Sequence, residues 1–391
     1  MIIDPLNVDM ESGTAAPRQP ARYVPRAASA VRELVVTECG DAGKPVTDAF
    51  DRVAEKLATA DAIPLGAMIY ASVAARDEIE HALHRAFGQP DWPITWVEGG
   101  SCDGAALAGV QVFAVRGTRV RRVPLGKRVV ASVYEDEDAR YCLLGGLGPT
   151  ALTLRPAAQA QQTFGNLDAT LDAAGFALRD VVRTWFYNDD ILGWYDEFNR
   201  VRSAYYANVP WRSGSLPAST AIGARNVAGA RLALAAWAVQ PLVGRAAACE
   251  VPSPLQCPAP RYGSSFSRAM EIESAGCRRL LVSGTASIHP DGRTAWIGNP
   301  RQQIELTMEV VEAILRSRGM EFRDTTRATA YFRQPDLKLL FDAWYRERDL
   351  TALPVVSTHS VVCRDDLLFE IELDACVPFS PPPRGSAVFR E

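Results

Sequence analysis

A carboxyl group and a thiol seven residues apart, Glu370 and Cys363, stand out in the segment VVCRDDLLFEIELDACV at 361–377. As a strand, the segment puts Phe369, Ile371 and Leu373 on one face and Glu370, Glu372 and Asp374 on the other, because successive strand side chains point to opposite sides. A glutamate kept out of water prefers its neutral form and can then donate a proton near neutral pH. A cysteine beside it is a nucleophile only as thiolate, and otherwise a small, weakly hydrogen-bonding wall. Alternation alone favours a second picture, an antiparallel strand with a solvated acidic face and a cysteine buried as a small hydrophobe.

Other chemistries find less support. The eight cysteines are scattered with no CxxC pair, so neither a disulfide framework nor a zinc ribbon is indicated. His81 and His84 are three apart on an expected helix, but no HExxH or carboxylate pattern surrounds them, and no metal is expected. LLGGLGPT at 143–150 is Gly-rich yet matches neither GxGxxG nor GxxxxGK[ST], so it reads as a strand and turn, and no cofactor is expected. A net charge of −4 argues against nucleic acid, which needs a basic footprint. The basic run at 116–128, between two strand-like segments, reads as a solvated linker. With 48% hydrophobic and 23% charged residues and no apolar run long enough to span a bilayer, no membrane partner is expected either. The first residues lack a secretory signal pattern, which points to the cytoplasm.

The elements that must position Glu370 and Cys363 are legible through a repeat. Gly175, Arg179, Asp180, Arg183 and Tyr187 recur 144 positions later as Gly319, Arg323, Asp324, Arg327 and Tyr331, a shared GxxxRDxxRxxxY. Each copy follows a helical stripe, Phe164, Leu167 and Leu171 or Ile304, Met308, Val311 and Leu315, and precedes a second one, Trp194, Phe198, Val201 and Tyr205 or Leu337, Leu340, Phe341 and Trp344. A Pro-containing turn and two strands close each copy, at 216–239 and 353–377. A degraded third copy shows a strand at 63–73, a helix at 76–87, a Pro-rich turn at 90–93 and a strand at 110–115, without the RD motif. The expected organisation is a flexible leader at 1–27, a degenerate unit at 28–117, a second unit at 118–245 and a third at 246–391 that carries the acidic strand. Because Arg183, Arg327, Asp180 and Asp324 recur in both clear copies, they are expected to be structural ion pairs.

This unit order, the strand SGTASI at 283–288 after FSRAM at 266–270, and the closing EIELDA strand resemble the RidA/YjgF family. The resemblance implies an α+β protein of three RidA/YjgF-like (chorismate-mutase-like) units in one chain, a pseudo-trimer that needs no further copies and is expected as a monomer. Within that superfamily, WFYNDDILGWYDEFNRVRSAYY at 185–206, LPASTAIGARN at 216–226 and the Cys363 to Glu370 spacing resemble the chorismatases and their 3-hydroxybenzoate synthases. RidA proteins that deaminate imines carry an arginine in a PARS-like motif. LPAST at 216–220 and LPVVST at 353–358 lack it, which argues against that reaction.

The chorismatase resemblance implies a small-molecule substrate, chorismate, and makes Glu370 the acid that protonates the enolpyruvyl methylene so that water or an internal hydroxyl attacks the oxocarbenium. The counterpart of Glu370 in the second unit is expected to be Leu232. The resemblance places Cys363 where enzymes forming 3-hydroxybenzoate carry a cysteine, with 4-hydroxybenzoate as an alternative or second product. The dianion calls for cations: Arg268 first, Arg212 second. Ser219, Thr220 and Gly223, with Tyr205, are expected on one wall, and Ser283, Gly284 and Thr285 on the other. Two rivals remain at this point: a hydrolase giving 3,4-dihydroxycyclohexa-1,5-dienoate, and a RidA-like binding protein for a small carboxylate without turnover.

Overall fold

The computed structural model describes residues 21–23, 30–242, 246–274, 276–350 and 353–379. Within the 1–27 leader, Arg22–Tyr23 form a short strand, and residues 1–20 and 24–27 lie outside the described residues.

The first unit runs β1 (Arg22–Tyr23), β2 (Arg32–Cys39), α1 (Thr47–Ala60), β3 (Ile63–Ala71), α2 (Arg76–Phe87), β4 (Ile94–Glu98), β5 (Gly100–Ser101) and β6 (Leu107–Arg116). The second runs β7 (Arg121–Leu125), β8 (Arg128–Glu135), β9 (Ala139–Leu147), α3 (Pro156–Ala174), β10 (Val181–Asn188), α4 (Ile191–Tyr206), β11 (Ala218–Gly223) and β12 (Leu232–Pro241). The third runs β13 (Ala247–Val251), β14 (Ala269–Ser274), β15 (Cys277–Ala286), α5 (Pro300–Ser317), β16 (Thr325–Phe332), α6 (Lys338–Arg346), β17 (Val355–His359) and β18 (Phe369–Pro378).

Three sheets result, in the orders β1-β2-β6-β3-β4, β7-β8-β9-β12-β10-β11 and β13-β14-β15-β18-β16-β17-β5. Each has one parallel pair at the same place, β3 with β4, β10 with β11 and β16 with β17. The first unit therefore shares the central elements of the others: β2, α1 and β4, which the sequence reading did not resolve, stand where β9, α3 and β11 stand in the second, and among the described residues only a counterpart of β7 is lacking. In β2, LVVT is buried on both faces and shows no two-residue period, which hides it from a pattern search.

One face of each sheet packs on its own two helices. In the third unit Phe369, Ile371 and Leu373 join Ile304, Met308, Val311, Leu315, Phe341 and Trp344 in that layer. The opposite faces of all three sheets meet in one shared core that includes Met68, Tyr70, Trp185, Tyr187, Leu281 and Tyr331. The acidic face of β18 is turned inward. Glu370 is 5% exposed, Glu372 0% and Asp374 6%, so the solvated-face reading does not hold.

The repeated motif now has a physical account. Gly175 and Gly319 follow α3 and α5 at φ of 78° and 67°, a left-handed conformation glycine adopts without steric cost. Asp180 and Asp324 accept the backbone N–H groups of Ala177 and Glu321 at 3.0 and 2.8 Å, tying the turn that starts the next strand. Arg183 and Arg327 point into the shared core, and Tyr187 and Tyr331 lie with Tyr70 in it. These residues are structural, but the pairs are not local. Arg183 bonds Glu372 of the third unit, Arg327 bonds Glu372 and Asp374, and Asp180 bonds Arg212. The basic run at 116–128 is also anchored: Arg121 donates to Ala173 O and Ala174 O at the end of α3, and Arg122 donates to Pro64 O.

Candidate active site

Between the second and third units lies a cleft of about 210 Å³ lined by α4, β11, the 262–268 segment, β15 and the 363–370 segment. Its walls are stitched across the units. Ala218 forms a parallel bridge with Ser267, Ser219 N donates to Ser283 Oγ at 2.8 Å, and Ser283 Oγ donates to Ser267 O at 2.5 Å. Gly284 N donates to Thr220 Oγ1 at 3.0 Å.

Glu370 closes the inner end. Burial first, and then repulsion from Glu372, push its carboxyl up to about 8 against the pull of Arg183 and Arg268. Its carboxyl lies over Gly284, where a Cβ would overlap Oε1. The absence of a side chain at position 284 is therefore what lets the acid face the cleft. Glu372, two residues on, behaves oppositely. Burial pushes it up, but Arg327, then Arg183, with hydrogen bonds from Thr220 and Arg327, hold its carboxyl below the ordinary value. Two carboxyl groups on one strand face are thus set apart, one neutral and one charged, by what surrounds each.

Cys363 is half-buried against Ala286, Ile288, Val362 and Leu367. Burial, then Glu370, push its thiol up to about 12, with a hydrogen bond to Tyr195 opposing. It is a protonated wall near neutral pH. Arg268 is 3% exposed; its Nε and Nη2 donate to Cys257 O at 3.0 and 2.9 Å, and its guanidinium lies 5.3 Å from the Tyr262 ring and 5.5 Å from that of Phe266.

The cleft also holds two arginines that the sequence reading missed. Arg202 is 1% exposed, bonds Asn199 Oδ1 at 2.7 Å, and among the described residues has no carboxylate partner. It sits 5.2 Å from the Phe198 ring. Trp194, Phe198 and Arg202 are four apart on one buried stripe of α4, so a charge in an apolar register was the available signal. Arg364 donates to Gly292 O at 2.9 Å and stacks 5.3 Å from Tyr262. With Glu370 neutral, Arg202, Arg268 and Arg364 against the exposed Asp196 leave the cleft net cationic.

Of the residues expected in the site, the structure brings Glu370, Cys363, Arg268, Ser219 and Gly284 to the cleft. Thr220, Ser283 and Thr285 stand behind its walls. Thr220 bonds Arg183, Glu372 and Gly284, and Thr285 Oγ1 donates to Ser283 O at 2.9 Å. Gly223 is at the far end of β11, bonded to Val361 O at 2.7 Å and facing another recess. Arg212 and Tyr205 are corrected. Arg212 pairs with Asp180 at 2.7 Å, and Tyr205 stacks on Phe164 and donates to Asp168, so neither lines the cleft. Both follow segments that do reach it, but on the outer side of α4 and of the turn before β11.

The strand registers show why one interface is special. Tyr331 pairs with Glu370, Tyr187 with Ala233 and Tyr70 with Gly109. The counterpart of Glu370 in the second unit is therefore Ala233, not Leu232; the chain between motif and closing strand differs in length between the copies, so only the pairing with the tyrosines aligns the two strands. Thr220 has Thr95 and Val356 as counterparts, each two residues before the partner of the same tyrosine. Between the first and second units Gly146 N donates to Thr95 Oγ1 at 2.9 Å, but no acid stands there. Between the third and first, a Cβ on Gly109 would meet the Val356 side chain, so the place of an acid is filled by valine. Of the three equivalent places, one carries an acid.

Residues 146–240 match the family described as Endoribonuclease L-PSP. No curated protein matches the chain at the sequence level. Among solved structures, a chorismatase aligns with a TM-score of 0.60 at 18% identity, covering 90% of this chain and 99% of its own. Single-unit structures align over about a third of the chain. The YJGF gene product from E. coli covers 32% of this chain and 96% of its own at 17% identity with a TM-score of 0.26, and yeast Mmf1 covers 33% and 97% at 20% with 0.27. The chain is thus an α+β protein with the fold of a chorismatase, three RidA/YjgF-like units wound into one polypeptide.

Proposed function

We propose that the chain releases pyruvate from chorismate, with Glu370 as general acid and 3-hydroxybenzoate as the ring product. The observation that carries this reading is the pairing, in one cleft, of a carboxyl group protonated near neutrality with Arg202, Arg268 and Arg364. An enolpyruvyl ether is inert until its methylene carbon gains a proton, and a buried neutral glutamate supplies one without strongly acidic solution. Two carboxylates on the substrate match a cleft whose cations outnumber its anions, and Arg202 in particular has no carboxylate partner among the described residues. The resulting oxocarbenium is attacked either by a ring hydroxyl, which leads to pyruvate and an aromatic hydroxybenzoate with no net water, or by water, which leads to pyruvate and the dihydroxycyclohexadiene. The protonated Cys363 thiol, packed on Ala286, Ile288, Val362 and Leu367, supports the first course by presenting an apolar surface beside the acid. A binding protein without turnover has no use for a carboxyl held neutral against the pull of Arg183 and Arg268.

The test is to incubate purified protein with chorismate, measure pyruvate enzymatically and identify the ring product by chromatography against 3-hydroxybenzoate, 4-hydroxybenzoate and the diol. Pyruvate with 3-hydroxybenzoate is expected. Absence of pyruvate sinks the enzymatic reading, and the diol as main product sinks the role given to Cys363.

A further inference from the structure

Glu372 is as singular within the chain as Glu370. On the equivalent strands its counterparts are Ala235, opposite Trp185, and Gln111, opposite Met68, while Glu372 itself lies opposite Thr329. A residue needed only to close the three-sheet core would be expected at every interface, and two of the three do without a carboxylate. The acid appears on the one strand that also carries Glu370.

Its contacts run toward the cleft. Glu372 Oε2 accepts from Arg183 Nη2 at 2.6 Å and from Thr220 Oγ1, and its Oε1 accepts from Arg327 Nη1 at 3.0 Å and Trp185 Nε1 at 3.1 Å. Thr220 Oγ1 in turn accepts from Gly284 N at 3.0 Å, and Gly284 is the residue over which the Glu370 carboxyl lies. The Thr–Gly bond alone is common scaffolding, since Thr95 and Gly146 repeat it at 2.9 Å. What the second and third units add is a fixed carboxylate behind the threonine. Strand alternation puts that carboxylate on the same face as Glu370.

We propose that Glu372 is a positioning residue for the reaction: through Thr220 and Gly284 it fixes the place of the Glu370 carboxyl, and it sets a buried negative charge on the same strand face as that carboxyl. Glu372 itself never meets the substrate. This rests on the reading of Glu370 as the proton donor. The direction of the electrostatic effect agrees, because Glu372 opposes ionisation of Glu370 while itself remaining ionised between two arginines.

Two variants test the two halves. Glu372→Gln keeps the shape and removes the charge, and Thr220→Val keeps the shape and removes the bonds to Glu372 and Gly284. The titration of Glu370 is followed by infrared difference spectroscopy against the matching Glu370→Gln protein, without substrate, while kcat and KM for pyruvate release are measured in parallel. Glu372→Gln is expected to move the Glu370 titration, and with it the alkaline limb of kcat/KM, down by about one pH unit or more. Thr220→Val is expected to lower kcat by about 100-fold with KM within about twofold, the loss from a misplaced acid, and Thr220→Ser is expected to restore it. An unshifted titration in Glu372→Gln, or a Thr220→Val protein with wild-type kcat, overturns the proposal. If Glu372→Gln fails to fold with Arg183 uncompensated, Thr220→Val still decides, since it leaves the charges of Glu372, Arg183 and Arg327 in place. Should chorismate not be turned over at all, the shift of the Glu370 titration still reads Glu372's effect, so failure of the substrate reading and failure of this one give different results.

Discussion

The protonation state of Glu370 is the property on which the proposed chemistry turns, and it can be measured in two independent ways. An ordinary glutamate at 4.5 is about 0.3% protonated at pH 7, whereas one at about 8 is about 90% protonated, a difference of about 300-fold in the population able to donate. With burial and Glu372 setting the value, kcat/KM is expected to be level from about pH 5 to 7 and to fall tenfold per unit above pH 8. An acid at its ordinary value would instead lose activity throughout that range. Stability gives the second measure. A carboxyl whose folded value is raised contributes stability that is fully present below its unfolded value of 4.5 and is lost as pH rises to about 8, because the unfolded chain binds fewer protons across that window. The loss approaches about 4–5 kcal/mol by linkage, an upper figure for a group beside another buried acid. Glu370→Gln does not titrate, so its melting temperature relative to wild type is expected to climb from pH 5 to pH 8 and then level off. A wild-type and a Gln protein whose melting temperatures stay parallel from pH 5 to 9 would falsify the buried-acid argument whatever the substrate is.

Further outcomes follow from the same geometry. Gly284→Ala puts a methyl group where Glu370 Oε1 lies and is expected to cost at least about tenfold in kcat while circular dichroism stays unchanged, since position 284 has no left-handed backbone to strain. Arg202→Met and Arg268→Met each remove a charge-assisted bond worth about 1.5–3 kcal/mol, so KM for chorismate is expected to rise about 10- to 100-fold, with the dependence on ionic strength reduced. Iodoacetamide at pH 7.5 is expected to leave activity intact through the first hour, because the Cys363 thiol at about 12 is not ionised; rapid loss that Cys363→Ala abolishes would show a thiolate instead. Arg212→Ala and Tyr205→Phe are expected to leave kcat and KM unchanged and to lower stability by about 1 kcal/mol or less, read from urea midpoints.

The sequence by itself determined the repeat and the division of β18 into an apolar and an acidic side, because a fixed-period motif and a two-residue alternation are local properties of the chain; that the acidic side turns inward was decided by the fold. It also placed Ser219, Gly284 and Arg268 on segments that border the cleft. The turn geometry of the repeat was written in Gly175 and Gly319, whose left-handed backbone and following aspartates end one helix and start one strand in each copy. Only the tertiary structure decided what faces what. Arg183 and Asp180 sit three apart in one motif, yet one pairs across the units with Glu372 and the other with Arg212, since charge partners in a three-sheet core are chosen by proximity in space. The chain between motif tyrosine and closing strand differs in length between the two copies, so only the strand pairing identified Ala233, not Leu232, as the counterpart of Glu370. Arg202 was written on an apolar helical stripe, but the value of a charge there depends on whether the neighbouring sheet closes over it or leaves a cleft, and that is set by strands from another unit.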